Sequence, residues 1–294
     1  MPTITEVEAA VFIPEVWSKE ALIARIEAHY MASRVARKDS DVKQMGDLVH
    51  FPEVANLSAN AVATDGSITP QAPTETEVTI AIDKWYESSV DISDKVGKQS
   101  MTDLASIYGK QIGAALARQM EIDLINLEAA AAITQNTAEG AAITDPILVE
   151  GIAFLDNADA PLDNRFLLVR PSQKGELLQI DKFVRSDATG STRSQNPINI
   201  GVFGDIYGIP LLVTSLIGKT IGGVDVGFRD YDTDTVKEYI NLMWQKDGLG
   251  LAVQNDVKTE QLARTKLSKT IVGHTLYGVK VFRPNHVVRV PTTS

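Results

Sequence analysis

Leu48-Val49-His50-Phe51-Pro52-Glu53-Val54 and Thr76-Glu77-Val78-Thr79-Ile80-Ala81-Ile82-Asp83 are the two strand-like stretches whose reading decides the fold. In the second, Val78, Ile80 and Ile82 alternate with Thr79, Ala81 and Asp83, the period of two that a pleated strand imposes. Between the two, Ser58 to Thr74 is rich in Ala, Thr, Gly, Ser and Pro, with Asp65-Gly66 as a turn signal. Residues 44–83 therefore read as a long tongue of two paired strands. A lone two-stranded ribbon is marginal in water, so it needs a surface to lie on. Another copy of the same chain is a natural candidate.

Outward from the tongue, the pattern changes on both sides. Upstream, Ser18 caps an expected helix to about Ala36, with Leu22, Ile26 and Tyr30 as a narrow apolar stripe on a mildly basic arm. Downstream, Trp85 to Asp94 reads as a further strand. Ser100 then opens the longest helical pattern, with Leu104, Tyr108, Ile112, Ala115, Leu116, Met120, Leu124 and Leu127 on one face. A helix from 100 to about 131 would be about 45 Å long, a spine rather than a local packing element. Thr144-Asp145-Pro146 is a strong helix start, and that helix dissolves in Asn157-Ala158-Asp159-Ala160-Pro161. Phe166 to Val169 reads as a buried strand, Pro171-Ser172 as a helix start, 185–199 as a polar loop, and Tyr207 to Val213 as a turn into a strand. Helices and strands mix without a regular βαβ rhythm, so the class is α+β.

Composition limits what such a chain can do. Its 294 residues are 44% apolar, enough for a sizeable core in one or two domains. The 28 basic and 38 acidic residues leave a formal charge of −10, which does not suit gripping nucleic acid over the whole surface. No cysteine is present, which excludes disulfides and thiolate sites and suits a reducing cytoplasm. No apolar stretch reaches the length of a membrane span, so no membrane partner is expected. Charge is also uneven. The tongue holds Asp47, Glu53, Asp65, Glu75, Glu77 and Asp83 and no Lys or Arg, whereas residues 255–294 hold seven basic groups, among them Lys266 and Lys269, against Asp256 and Glu260. One reading is two solvated faces of opposite sign. The sharper one lays the tongue of one subunit over the basic tail of its neighbour, where complementary charge sets register.

No catalytic or ligand-binding pattern emerges. His29, His50, His274 and His286 form no close pair and no H-E-x-x-H run. No serine sits in a nucleophile elbow, and no phosphate-binding glycine loop exists. Asp230, Asp232 and Asp234 resemble the start of a calcium loop, but Thr235 stands where glycine is needed and Asn241 where glutamate belongs. Glu121 and Asp123 diverge on a helix and cannot share a proton. No catalytic residue, cofactor or metal is expected.

Gly46-Asp47-Leu48-Val49-His50-Phe51-Pro52, the long helix from Ser100, Phe166-Leu167-Leu168-Val169-Arg170-Pro171-Ser172, Gly204-Asp205-Ile206-Tyr207-Gly208-Ile209-Pro210-Leu211-Leu212-Val213 and Leu276-Tyr277-Gly278-Val279-Lys280-Val281-Phe282-Arg283-Pro284 follow one another along nearly the whole chain. In this order they resemble the major capsid proteins of tailed bacteriophages, with the Hong Kong 97-type fold. The resemblance implies an N-terminal arm (1–40), an extended hairpin called the E-loop (41–83), a peripheral domain (84–143 and 249–294) and an axial domain (144–248). It implies self-assembly as hexamers and pentamers into an icosahedral shell around double-stranded DNA, in a virion assembled in the host cytoplasm. A portal protein, a separate scaffolding protein and a cement protein are the implied partners. Leu22, Ile26, Tyr30, Asp65, Glu75, Glu77, Val78, Ile80, Lys266 and Lys269 are the expected inter-subunit residues.

Two departures follow from the residues. No lysine occurs between Lys43 and Lys84, so the covalent cross-link that some relatives make through a tongue lysine is not expected here. The fold is expected to begin within the first twenty residues without a long helical pro-region, so any scaffolding is expected to come from a separate protein. Two rival readings stay open on sequence: an encapsulin-like shell around protein cargo, and a small-molecule enzyme with its site in 156–216.

Overall fold

The computed structural model describes residues 30–42, 46–55, 57–62, 64, 66, 68, 70–99, 104–134, 142–180, 205–231, 236–261 and 267–292. Among the described residues there are fifteen strands: β1 (Ala36–Arg37), β2 (Leu48–Glu53), β3 (Thr76–Ala81), β4 (Lys84–Ser93), β5 (Ile133–Thr134), β6 (Arg165–Val169), β7 (Asp205–Ile206), β8 (Ile209–Val213), β9 (Thr220–Ile221), β10 (Val224–Asp225), β11 (Phe228–Tyr231), β12 (Val236–Gln245), β13 (Leu249–Gln261), β14 (Ser268–Val281) and β15 (Val287–Thr292). The helices are α1 (Asp39–Val42), α2 (Asp94–Gln99), α3 (Leu104–Ile125), α4 (Asp145–Asn157) and α5 (Pro171–Leu177).

Two sheets organise the body. One has four strands in the order β1-β13-β14-β4. The other runs β5-β15-β12-β6-β8-β7, with β11 paired to β12. Strands β13 and β14 form a long antiparallel pair with irregular register between Val253 and Lys258, and β4 extends it from Lys84↔Tyr277 to Ser93↔Ser268. The seven-stranded sheet joins β15, expected in the peripheral domain, to β6, β8 and β12 of the expected axial segment. The pairing of β12 with β15 therefore joins strands on either side of the boundary read at 248/249.

Helix α3 lies where both sheets can use it. Ile112 and Leu116, in its first half, pack with Ile92 and Ile271 on the four-stranded sheet. Met120, Ile122, Leu124 and Ile125, in its second half, join Leu168, Leu242, Trp244, Leu251 and Tyr277 in the main core. Of the expected stripe, Ile112, Leu116, Met120 and Leu124 are buried and Leu104 and Leu127 half-buried, whereas Tyr108 and Ala115 are exposed, and the α-helix ends at Ile125, before the expected end near 131. Its 22 residues span about 33 Å before a 3-10 turn at Asn126–Ala130 ends it. The expected cap Ser100 lies outside the described residues. A second core forms where Leu148 and Leu155 of α4 and Leu177 of α5 cover Leu167, Val169, Met243, Val288 and Val290. Helix α4 begins as expected, with Thr144 at its N-cap and proline in its first turn.

The arm helix read from Ser18 to about Ala36 does not reach its expected end. Met31–Ser33 form a 3-10 turn, and Ala36–Arg37 pair in parallel with Gly250–Leu251 of β13. Strand pairing and a buried acceptor for the backbone, described below, outweigh the helical stripe. The remainder of that expected helix, and the 185–199 loop, lie outside the described residues. Asp230, the first position of the rejected calcium loop, sits in strand β11 opposite Lys237.

Candidate functional site

Strands β2 and β3 pair antiparallel from Leu48↔Ala81 to Glu53↔Thr76, so the tongue is a hairpin as expected. Its root is packed against the chain's own body. Ile80 is 0% exposed and forms a small core with Val42, Ile82 and Ala252, flanked by Val49, Phe51, Leu276 and Phe282. The Phe51 and Phe282 rings meet edge-on at 5.2 Å, and Lys38 Nζ lies 5.4 Å over Phe51. Gln254 Nε2 donates to the carbonyls of Val42 (3.1 Å) and Gly46 (3.2 Å), and the Ile82 N–H donates to Asp47 O (2.7 Å). Gly278 of β14 permits this seat, because a Cβ there would collide with Ala81 O and Ile80. Ile80, expected at a contact between subunits, thus serves its own chain's core, because alternation points it at β14.

Beyond the root, support ends. Residues 54–75 contain no regular element among those described. Val54, Leu57, Val62 and Ile68 are 71%, 67%, 66% and 78% exposed, a run of apolar side chains with no basic neighbour in the ribbon. Glu75 and Glu77 are also exposed, and Val78 is half-buried. His50 Nδ1 lies 3.1 Å from Glu77 Oε2, a cross-strand pair. Of the remaining expected contact residues, Tyr30 and Lys269 are half-buried, while Leu22, Ile26, Asp65 and Lys266 lie outside the described residues. Lys269 sits on β14 opposite Ile92, away from the ribbon root at Gly278.

A second constellation, not anticipated, lies where the arm meets α3. Glu121 is 1% exposed. Its carboxylate accepts the Tyr30 N–H at 2.9 Å and the Met31 N–H at 3.0 and 3.1 Å. Burial raises its carboxyl above the ordinary range, while these backbone donors and the Arg34 charge pull it back down. Arg34 Nη1 donates to Tyr30 O (3.1 Å), and its guanidinium lies 5.6 Å from the Tyr30 ring and 5.7 Å from the Phe166 ring. Trp244 Nε1 donates to Arg34 O at 3.1 Å. The signal was present in the sequence: Met120, Ile122, Leu124 and Ile125 cannot share one face, so this half of α3 is enclosed all round and carries Glu121 inside.

Three further polar groups are built into the interior. Tyr277 Oη donates to Asp123 Oδ2 at 2.8 Å, and burial, with that carboxylate beside it, pushes the phenol upward. Glu128 and Arg289 form a buried ion pair at 2.6 Å between β15 and the 3-10 turn that follows α3. His286 is buried beside Gly248, and burial, with the Arg283 charge, lowers its pKa below the ordinary histidine range. These groups fasten elements together. Among the described residues, no group of three or more His, Cys, Asp or Glu could hold a metal ion, and no helix is long and apolar enough to cross a membrane.

The geometry thus offers surfaces and fastenings: a rooted ribbon with an exposed apolar end, and a spine helix carrying the arm root. The model of the phage capsid protein family matches residues 75–290. The chain belongs to the phage capsid protein family. As a member it is a structural subunit, and its place is the capsid of the virion. Solved structures agree on the fold. A chain from Mycobacterium phage Che8 is 20% identical with a TM-score of 0.77, over 95% of this chain and 97% of that one. A chain from the capsid of cyanophage P-SCSP1u is 19% identical with a TM-score of 0.77, over 97% and 94%. A chain from the mature capsid of bacteriophage PhiM1 is 16% identical with a TM-score of 0.72, over 96% and 92%. No curated protein matches the sequence. The α+β class and the capsid resemblance read from the residues both hold.

Proposed function

We propose that this capsid subunit assembles as hexamers and pentamers into the icosahedral shell of a tailed phage, around double-stranded DNA. The exposed distal ribbon carries the reading. Its root is fixed within the subunit, whereas Val54, Leu57, Val62 and Ile68 are exposed, with no cover among the described residues. Apolar surface of this kind contributes about 25 cal/mol per Å² once a neighbour covers it, before ordering is subtracted. In this reading residues 1–40 are the arm, 41–83 the E-loop, 84–143 and 249–294 the peripheral domain, and 144–248 the axial domain. The four-stranded sheet with α3 supports the peripheral assignment, and the packing of α4 and α5 on β6 supports the axial one.

Asp65, Glu75 and Glu77 of one subunit face Lys266 and Lys269 of its neighbour, so opposite charge sets the register. Burial and ribbon overlap, or a cement protein, supply the strength that a lysine cross-link would give. A separate scaffolding protein and a portal protein complete assembly in the host cytoplasm. The net charge of −10 lets the wall hold DNA without adhering to it along its whole length.

Electron microscopy of the purified chain, alone and co-expressed with a scaffolding protein, tests the reading. Closed shells are expected, and a subunit that remains monomeric in both preparations overturns it. Nuclease-protected DNA inside particles made during infection separates a phage head from a shell around protein cargo.

A further inference from the structure

The backbone N–H groups that open a helical turn have no partner within it, and a local Ser, Thr, Asp or Asn normally accepts them. At the Met31–Ser33 turn the N-cap is Tyr30, which makes no such bond. The acceptor is instead Glu121, 90 residues away on α3, and it takes the N–H groups of both Tyr30 and Met31. A local cap would satisfy the same donors without tying the segment to anything. A remote carboxylate ties it to the spine helix, and a buried charge is retained only where its hydrogen bonds offset desolvation. The neighbouring contacts point the same way. Within residues 30–37 the chain also reaches β12 through Trp244, β6 through Phe166 and β13 through Ala36.

We propose that Glu121 is a positioning residue for assembly: it fixes Tyr30 on α3 and thereby sets the point and direction from which the N-terminal arm departs. The inference rests on the arm reading given above. Arm placement is thus written into the spine helix, and a subunit that loses the anchor keeps its core while its arm no longer meets a neighbour in register.

Amide hydrogen exchange and assembly kinetics of the full-length Glu121→Ala and Glu121→Gln variants test this. In Glu121→Ala, exchange at Tyr30 and Met31 is expected to quicken by about tenfold or more, the scale of losing charge-assisted hydrogen bonds. Amides of β6 and β12 should stay protected, and assembly followed by light scattering should slow. Glu121→Gln keeps one acceptor oxygen and should fall between, so it decides the matter if the alanine variant fails to fold. Unchanged exchange at Tyr30 and Met31 would overturn the proposal, as would protection lost evenly across the core. If wild-type subunits form no shells, the shell reading fails while the exchange result still judges the anchor. If wild-type and Glu121→Gln subunits assemble at the same rate, the proposal is overturned even where the exchange result shows the anchor.

Discussion

His286 is 5% exposed and hydrogen-bonds to the Ala158 backbone, while its Nδ1 has no partner among the described residues. Arg283 and Arg165 oppose a positive charge there, and Asp247 favours it less strongly than burial opposes it. The folded protein therefore depresses this histidine, and the sign follows. Its contribution to stability is fully present above the ordinary histidine pKa of about 6.5 and is lost as pH falls through the lower folded value. Melting temperature measured from pH 7.5 down to pH 4.5 should drop less steeply in His286→Gln, which removes the titration. The Glu128–Arg289 pair makes a different prediction. Breaking it with Arg289→Ala leaves Glu128 buried without its cation and should destabilise by about 3 kcal/mol. Replacing both partners with apolar residues of similar volume should restore most of that loss in urea denaturation. Neither fastening could be read from the sequence, because each partner is ordinary until the fold removes its water.

At the scale of elements, local chemistry was legible and long-range competition was not. The alternation in Val78-Thr79-Ile80-Ala81 gave β3, and the Thr144-Asp145-Pro146 start gave α4. The arm helix failed near Tyr30 because Glu121 and β13 compete for its backbone, and neither competitor is close in sequence. The tongue was read correctly as a hairpin, but its root was expected to rest on another subunit. Its buried face instead uses Gly278, a residue two hundred positions away that looks unremarkable in a strand. Gly278→Ala should therefore force the ribbon root off β14 and destabilise by roughly 1–3 kcal/mol, the range for overpacked sites. Faster thermolysin cleavage within 46–55 would show that displacement. The buried position of Ile80 also means that a proline there would unfold the root, so it tests folding rather than assembly.

For the whole molecule, the order of elements along 294 residues was enough to reach the family, since an α+β chain without a catalytic cluster but with a long ribbon has few destinations. The sheet that joins β15 and β5 to strands from the middle of the chain was not legible, because its partners lie far apart in sequence and no local pattern announces them. Three outcomes belong at this scale. Reversing Glu75 and Glu77 to lysine should block shell closure with little change in subunit melting temperature, because both side chains are exposed. Assembly of the wild-type chain should slow as salt rises, in keeping with screening of opposed charges over about 10 Å at 0.1 M. Shells boiled in detergent should run as single subunits on a denaturing gel, and a ladder of linked multimers would contradict this. The absence of lysine and arginine from 44–83 has one more consequence. Trypsin and amine-directed dyes find no target anywhere in that span, so one lysine engineered beside Ile68 would be the sole tryptic and amine-reactive site within the ribbon, and a peptide map of that segment would read whether a neighbour covers it.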